Sequence, residues 1–267
     1  MAAFPIVAGY HAGSPCALSI RSLSKAFARG PAHSPQRTSA LVDVSLDILS
    51  GEVLGLVGAA GAGKTTLLQC SAGLLRRDSG FIEWFGEPFA GGGCLPGLAH
   101  VPTTPVYYPF LTVRDVLAYR TSREELPRVS RDEVIESLLA RLDLEEISSA
   151  YVGDLPREAV NRLALAEALT TGPRVIFLDG TFSDMAPAFP PAVQRTLAEE
   201  AANGCTVAIA ARDAATVAAI ASRIVLLERG RVVGAFSKDT GQRPGMPDGA
   251  VFPALVHRDR LIAERMH

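Results

Sequence analysis

The 267-residue chain has no block of Lys and Arg, no Cys-x-x-Cys pair and no unbroken apolar run of membrane length. Each absence removes a class of function. Without a basic block, and with a net charge of -2, nucleic acid is not an expected partner. The four cysteines, Cys16, Cys70, Cys94 and Cys205, are scattered, which fits reduced thiols in a cytosolic protein better than a disulfide framework or a metal knuckle. A membrane span needs roughly 18 consecutive apolar residues. The longest uncharged stretch, Pro88–Val113, is broken by Pro96, Pro102, Pro105, Pro109 and the glycines 91–93. The first residues, MAAFPIVAGYHAGSP, lack the basic start of a secretory signal. No internal repeat is visible.

What is present is a chain 48% hydrophobic, long enough for one core with a lobe inserted into it. Leu18–Phe27 reads as a strand, Gly30–Ser39 as an exposed loop, and Leu41–Ile48 as a half-buried edge strand. Val53–Val57 is a short apolar run suited to a strand buried on both faces. Helix is expected over Thr65–Leu75, strand over Phe81–Phe85, and loop over Pro88–Pro109 with one strand at Leu98–Val101. A run of helices follows: Thr112–Tyr119, a second opened by a capping box of Ser130 with Glu133, and Val160–Leu169. Then strands and helices alternate: Arg174–Leu178, Ala192–Ala202, Thr206–Ala210, Ala214–Ser222, Ile224–Leu227 and an edge strand Arg231–Ala235. This order predicts an α/β fold with a mainly parallel sheet and an inserted helical lobe.

The chemistry is concentrated at Gly58, Ala59, Ala60, Gly61, Ala62, Gly63, Lys64, Thr65 and Thr66. They follow a buried strand and open a helix, the context a phosphate-binding (Walker A) loop requires. Glycines let backbone N–H groups converge on phosphate oxygens, and the helix N-terminus adds partial positive charge. Lys64 suits the β- and γ-phosphates, and the Thr65 hydroxyl suits magnesium. Asp179, closing the strand Val175–Leu178, is placed to hold the same ion, directly or through water. The reading is a nucleoside triphosphate site, ATP with Mg2+.

The order of segments resembles the nucleotide-binding subunit of an ATP-binding cassette (ABC) transporter. The resemblance runs from Leu18 to Val233 and rests on LVDVSLDILSGEVLGLVGAAGAGKTTLLQCSAGLLRRDSG, VPTTPVYYPFLTVRDVLAY, NRLALAEAL with RVIFLDGTFSDM, and RIVLLERGRVV. It implies a P-loop NTPase cassette over 18–236, with an N-terminal antiparallel β subdomain and a helical subdomain at about 105–170. Residues 1–17 are then an extension and 237–267 a tail of no assigned role. It also implies a second cassette, homo- or heterodimeric, integral membrane permease domains as partners, and a place on the cytoplasmic face of the membrane. Phe27 falls where the family has an aromatic that stacks on adenine; an ordinary core Phe stays open there. Tyr107, Tyr108 and Phe110 fall where the family forms a groove for a permease, with core filling of the helical lobe as the alternative.

Against the family pattern, most catalytic motifs are altered. The glutamate that polarises water is Gly180, and a positioned base contributes about 10²–10⁴-fold. The switch histidine is Arg212, which cannot relay a proton; pairing with a γ-phosphate or with a neighbouring Asp both stay open. The magnesium-sensing glutamine is Thr103, which is too short to reach equally far. The signature that clamps the partner's nucleotide is Leu155, Pro156, Arg157, Glu158 and Ala159, where Pro156 removes a hydroxyl and an N–H and Glu158 adds a carboxylate. The family's D-loop aspartate is Ala186, with Asp184 nearby. Replacement of the base by Thr181 or Asp184 is set aside because the displacement misplaces a water by several ångströms. The expectation is an ATP-binding transporter subunit with little or no hydrolysis. A non-transport regulator and an ordinary active ATPase remain the alternatives.

Overall fold

The computed structural model of the chain describes residues 16–29, 36–93, 95–123, 128–182 and 189–238. Two sheets organise it. The first is antiparallel, with strands β1 (Cys16–Arg29), β2 (Gln36–Leu49), β4 (Ser79–Trp84) and β5 (Glu87–Pro88) in the order β2-β1-β4-β5. The second joins β3 (Val53–Val57), β6 (Leu98–Val101), β7 (Val175–Asp179), β8 (Thr206–Ala211), β9 (Arg223–Glu228) and β10 (Arg231–Ser237) in the order β10-β9-β3-β8-β7-β6. Its strands are parallel except for β10, which pairs antiparallel with β9 at the edge.

The period of two along each strand divides the core. Val53, Val57, Ile176, Leu178, Val207 and Ile209 pack in one cluster with the helices α2 (Val113–Thr121), α3 (Arg128–Arg141), α4 (Arg157–Leu169), α5 (Pro191–Ala202) and α6 (Ala214–Ala218). Leu54, Leu56, Val175, Phe177 and Ala208 pack in the other, with the antiparallel sheet and α1 (Lys64–Ser71). The central strands β3, β7 and β8 are therefore buried along their whole length, as their continuous apolar runs require.

The helical lobe is tied to the sheet layer by polar contacts at one end of α3. Arg141 donates to Glu200 at 2.6 Å, and the Thr196 hydroxyl donates to the Arg141 carbonyl at 3.2 Å. Arg162 of α4 donates to the carbonyls of Leu142 and Asp143, which otherwise have no acceptor role at the helix end. Helix α2 starts at a complete capping box: Thr112 accepts from the Asp115 N–H, and Asp115 accepts from the Thr112 N–H.

Several boundaries differ from the sequence expectations. Strand β2 begins at Gln36, so Gln36–Ser39 belong to a polar edge strand and not to a loop. Helix α1 ends at Ser71, because Gly73 adopts φ 74 and terminates the helical path. Ser130 lies inside α3, which starts at Arg128, so the Ser130–Glu133 box caps nothing; burial of Ile135, Leu138, Leu139 and Leu142 sets that helix. Helix α4 starts at Arg157, three residues before the expected Val160, and α6 stops at Ala218.

Candidate nucleotide site

The loop 58–63 joins β3 to α1, and its backbone is held from behind. The Gly58 N–H donates to the Ala211 carbonyl at 3.3 Å. A Cβ on Gly58 would lie 2.2 Å from the Leu227 carbonyl oxygen, and one on Gly63 (φ 107) would lie 2.4 Å from the Ala40 carbonyl oxygen. Only glycine fits at those two contacts. The mouth is different, since a Cβ on Gly61 would meet nothing within 4 Å. Gly63 is the N-cap of α1 and supplies no side chain to the first turn. The orphan N–H groups of that turn are thus left for an anion.

Lys64 curls back over the loop, its Nζ donating to the Gly58 and Ala59 carbonyls at 2.5 and 3.0 Å. Burial depresses its pKa, the Asp179 carboxylate opposes that shift, and the charge of Arg212 adds to it. Arg212, itself exposed, therefore acts on this site, while its neighbour Asp213 caps α6 by accepting from the Thr216 N–H and hydroxyl.

The Thr65 hydroxyl donates to Asp179 Oδ1 at 2.8 Å. This brings the two residues expected to hold magnesium to one point, with a shared proton where a hard cation would sit. Burial raises the Asp179 pKa, which the Thr65 hydrogen bond partly offsets. An oxygen-only donor pair beside an open anion cradle fits a phosphate-bound Mg2+, which keeps most of its waters. Lys64, Thr65 and the first-turn amides would hold the phosphates, and Thr65 with Asp179 the ion.

Beyond Asp179 the altered positions other than Ala186 lie within the described residues. Gly180 has φ 67 and leaves the turn after β7 without a side chain. Thr103 donates to the Asp179 carbonyl at 2.5 Å. The sequence reading judged threonine too short for the family role; the structure gives it a backbone partner instead. The Thr181 hydroxyl is turned inward, donating to the Val101 and Pro102 carbonyls at 3.1 and 3.0 Å. Pro156 is the N-cap of α4 and offers it no side-chain hydrogen bond. Glu158 in the first turn is exposed and favourably placed for the helix dipole, and Ala159 is buried. Asp184 and Ala186 lie outside the described residues.

Phe27 is 39% exposed on β1, with the Lys25 ammonium 5.5 Å from its ring centre, so it is not a core side chain. Of the aromatic cluster, only Tyr107 is core-like: it packs against the lobe and donates its hydroxyl to Glu167 at 2.8 Å. Tyr108 and Phe110 are exposed and stacked, 5.4 Å apart. Tyr108 also lines a cavity of about 660 Å³, together with His100, Tyr107, Leu111 and Tyr119. The residues that sequence reasoning missed are Leu227, Gly230 and Asn161. Gly230 (φ 76) donates its N–H to the Ala62 carbonyl at 2.9 Å, and only the turn glycine in RGRVV hinted at it.

A phosphate loop between a buried parallel strand and a helix, with a hydroxyl and a carboxylate converging beside it, defines a P-loop nucleotide-binding protein. The chain belongs to the ABC transporter family, whose model matches residues 41–183. It is 32% identical over 227 residues to the aliphatic sulfonates import ATP-binding protein of Mycobacterium avium, covering 84% of this chain and 83% of that one. It is 33% identical over 162 residues to the taurine import ATP-binding protein of Roseobacter denitrificans, a match of 61% of this chain and 59% of that one. Among solved structures, an ABC transporter cassette in its ADP conformation superposes with a TM-score of 0.72 at 18% identity, covering 94% of this chain and 98% of that one. A dimeric bacterial ABC transporter cassette superposes with a TM-score of 0.72 at 20% identity, over 82% and 98%. These two likenesses speak for the fold. ATP with Mg2+ is the ligand of this cassette.

Proposed function

We propose that this chain is the ATP-binding subunit of an ABC importer that holds Mg-ATP at Gly58–Thr66 and hydrolyses it poorly or not at all. The relatives carry the importer reading, since taurine and sulfonate import stand in their names. Relatives named for sulfate/thiosulfate, glucose and spermidine/putrescine import match as well, so the cargo is left to the permease and its partners. Membrane attachment follows from permease domains, because among the described residues no helix is long and apolar enough to cross a membrane. The subunit then sits on the cytoplasmic face, with a second cassette beside it.

The observation that carries the impaired-hydrolysis reading is Gly180. It follows the magnesium carboxylate directly and has no side chain to polarise a water, and the nearby hydroxyls of Thr103 and Thr181 are spent on backbone carbonyls. In a cassette pair, Gly180, Thr103 and Arg212 alter the site on this chain's own phosphate loop, while residues 155–159 alter the opposite one. A homodimer has both sites altered; a heterodimer has one site without the base and one with a poor clamp. Purified protein should bind ATP with Mg2+ and show turnover far below that of an active cassette. Turnover at an active cassette's rate that disappears in Lys64→Ala would overturn the reading.

A further inference from the structure

One side chain of the helical lobe reaches the turn that carries the magnesium carboxylate. Asn161 sits one turn into α4, two residues beyond the signature position 155–159, and is 1% exposed. Its Nδ2 donates to the carbonyl of Thr181, while its Oδ1 is buried with no hydrogen-bond partner. The amide cannot be turned over to satisfy Oδ1, because that would set two acceptors against each other. A buried acceptor left without a donor is destabilising. Asn161 is thus kept at this position for the one bond to Thr181.

That bond is the first link of a polar chain between two parts of the molecule. Thr181, 2% exposed, donates to the Val101 and Pro102 carbonyls that end β6. Thr103, on the same segment, donates to the Asp179 carbonyl. Asp179 accepts from Thr65 on α1. The turn 179–181 is therefore gripped from three sides: by α4, by the segment after β6, and by α1. With glycine at 180 and φ 67, this turn has little stiffness of its own, and the hydrogen bonds from these three sides define its course.

We propose that Asn161 is a positioning residue: through the Thr181 carbonyl it sets where Asp179 presents its carboxylate, and so ties the seating of α4 to magnesium affinity. The inference rests on the Mg-ATP reading above. It assigns the lobe a role in holding the ion and requires no hydrolysis. Loss of a group that orients a metal ligand typically costs 10–100-fold in metal affinity.

The test uses the whole 267-residue chain and two changes that remove the side-chain donor at 161, Asn161→Leu and Asn161→Ala. ATP affinity is measured by calorimetry in EDTA and again with Mg2+, and the ratio of the two is the readout. Both variants should keep the EDTA affinity within about twofold while the magnesium-dependent gain falls by about tenfold. Asn161→Ala removes the same donor and supplies the decision if Asn161→Leu fails to fold. An unchanged magnesium gain in the folded variants overturns the proposal. Equal losses with and without Mg2+ also overturn it, since they mark a packing role alone. A wild-type protein with no magnesium-dependent binding removes the Mg-ATP reading itself, a result distinguishable from either.

Discussion

Thr65 and Asp179, 114 residues apart in sequence, share a hydrogen bond of 2.8 Å between the first turn of α1 and the end of β7. The side chains that would hold a magnesium ion are thereby already paired. Removing the hydroxyl separates two contributions. Thr65→Val should leave ATP binding in EDTA nearly unchanged and abolish most of the magnesium-dependent gain, while Lys64→Ala should weaken binding under both conditions. Titration calorimetry with and without Mg2+ distinguishes them.

Restoring the missing carboxylate at 180 should not restore an ATPase. Glutamate at φ 67 carries a backbone cost of about 1–2 kcal/mol. Thr103, Arg212 and residues 155–159 would also remain altered. Gly180→Glu is expected to lower the melting temperature and to leave turnover well below that of an active cassette; full activity from this single change would show that the other positions matter little.

The glycines of the phosphate loop should respond unequally. A methyl group on Gly58 meets the Leu227 carbonyl at 2.2 Å, so Gly58→Ala is expected to cost about 1–3 kcal/mol or more and to disrupt binding. At Gly61 a methyl group meets open space, and only the backbone preference at φ 77 opposes it, about 1 kcal/mol. Chemical denaturation of both variants checks the ranking.

Tyr108 and Phe110 contribute little to the core, being 68% and 67% exposed. The double variant Tyr108→Ala, Phe110→Ala should retain wild-type stability within about 0.5 kcal/mol and lose co-purification with its membrane permease. Retained association would return these rings to the role of ordinary surface residues.

The capping box of α2 gives a pH signature. Hydrogen bonds from the Thr112 hydroxyl and N–H depress the Asp115 pKa. A carboxylate with a lowered folded-state pKa contributes stability above its unfolded pKa and loses it as pH falls through the folded value. Wild-type protein should therefore be more stable than Asp115→Asn at neutral pH, with the difference closing below about pH 4. Denaturation midpoints across that range test it.

Much of this was legible in the sequence because it rests on local pattern. The run Val53–Val57 suits a strand buried on both faces, and the glycines and Lys64 after it have the spacing of a phosphate loop. Where a boundary depended on tertiary contact, local reading failed. Ser130 and Glu133 have the spacing of a cap, but burial of the apolar stripe carries α3 past them. The polar residues Gln36–Ser39 resemble a loop, yet pairing with β1 makes them strand. At the site, Gly180 was visible as an absence, but its positive φ was not. Thr103 was judged by its length against a glutamine, whereas a shorter side chain has a partner of its own in the Asp179 carbonyl. Asn161 looked like any residue of a helix, since nothing local marks a side chain whose partner lies 20 positions away.

Leu227 near the end of β9 and Gly230 in the turn to β10 back the phosphate loop: the Leu227 carbonyl lies against Gly58, and the Gly230 N–H donates to the Ala62 carbonyl. The Gly230 carbonyl in turn accepts from the Val42 N–H at 2.8 Å. The stretch that matches the family, 41–183, includes Gly58–Thr66 and Asp179, yet it ends well before this wall. A fragment cut to that stretch would own the chemistry and lack the mould that shapes it. The binding loop is in this sense not a portable cassette of nine residues: the last hairpin of the sheet supplies part of its backbone support.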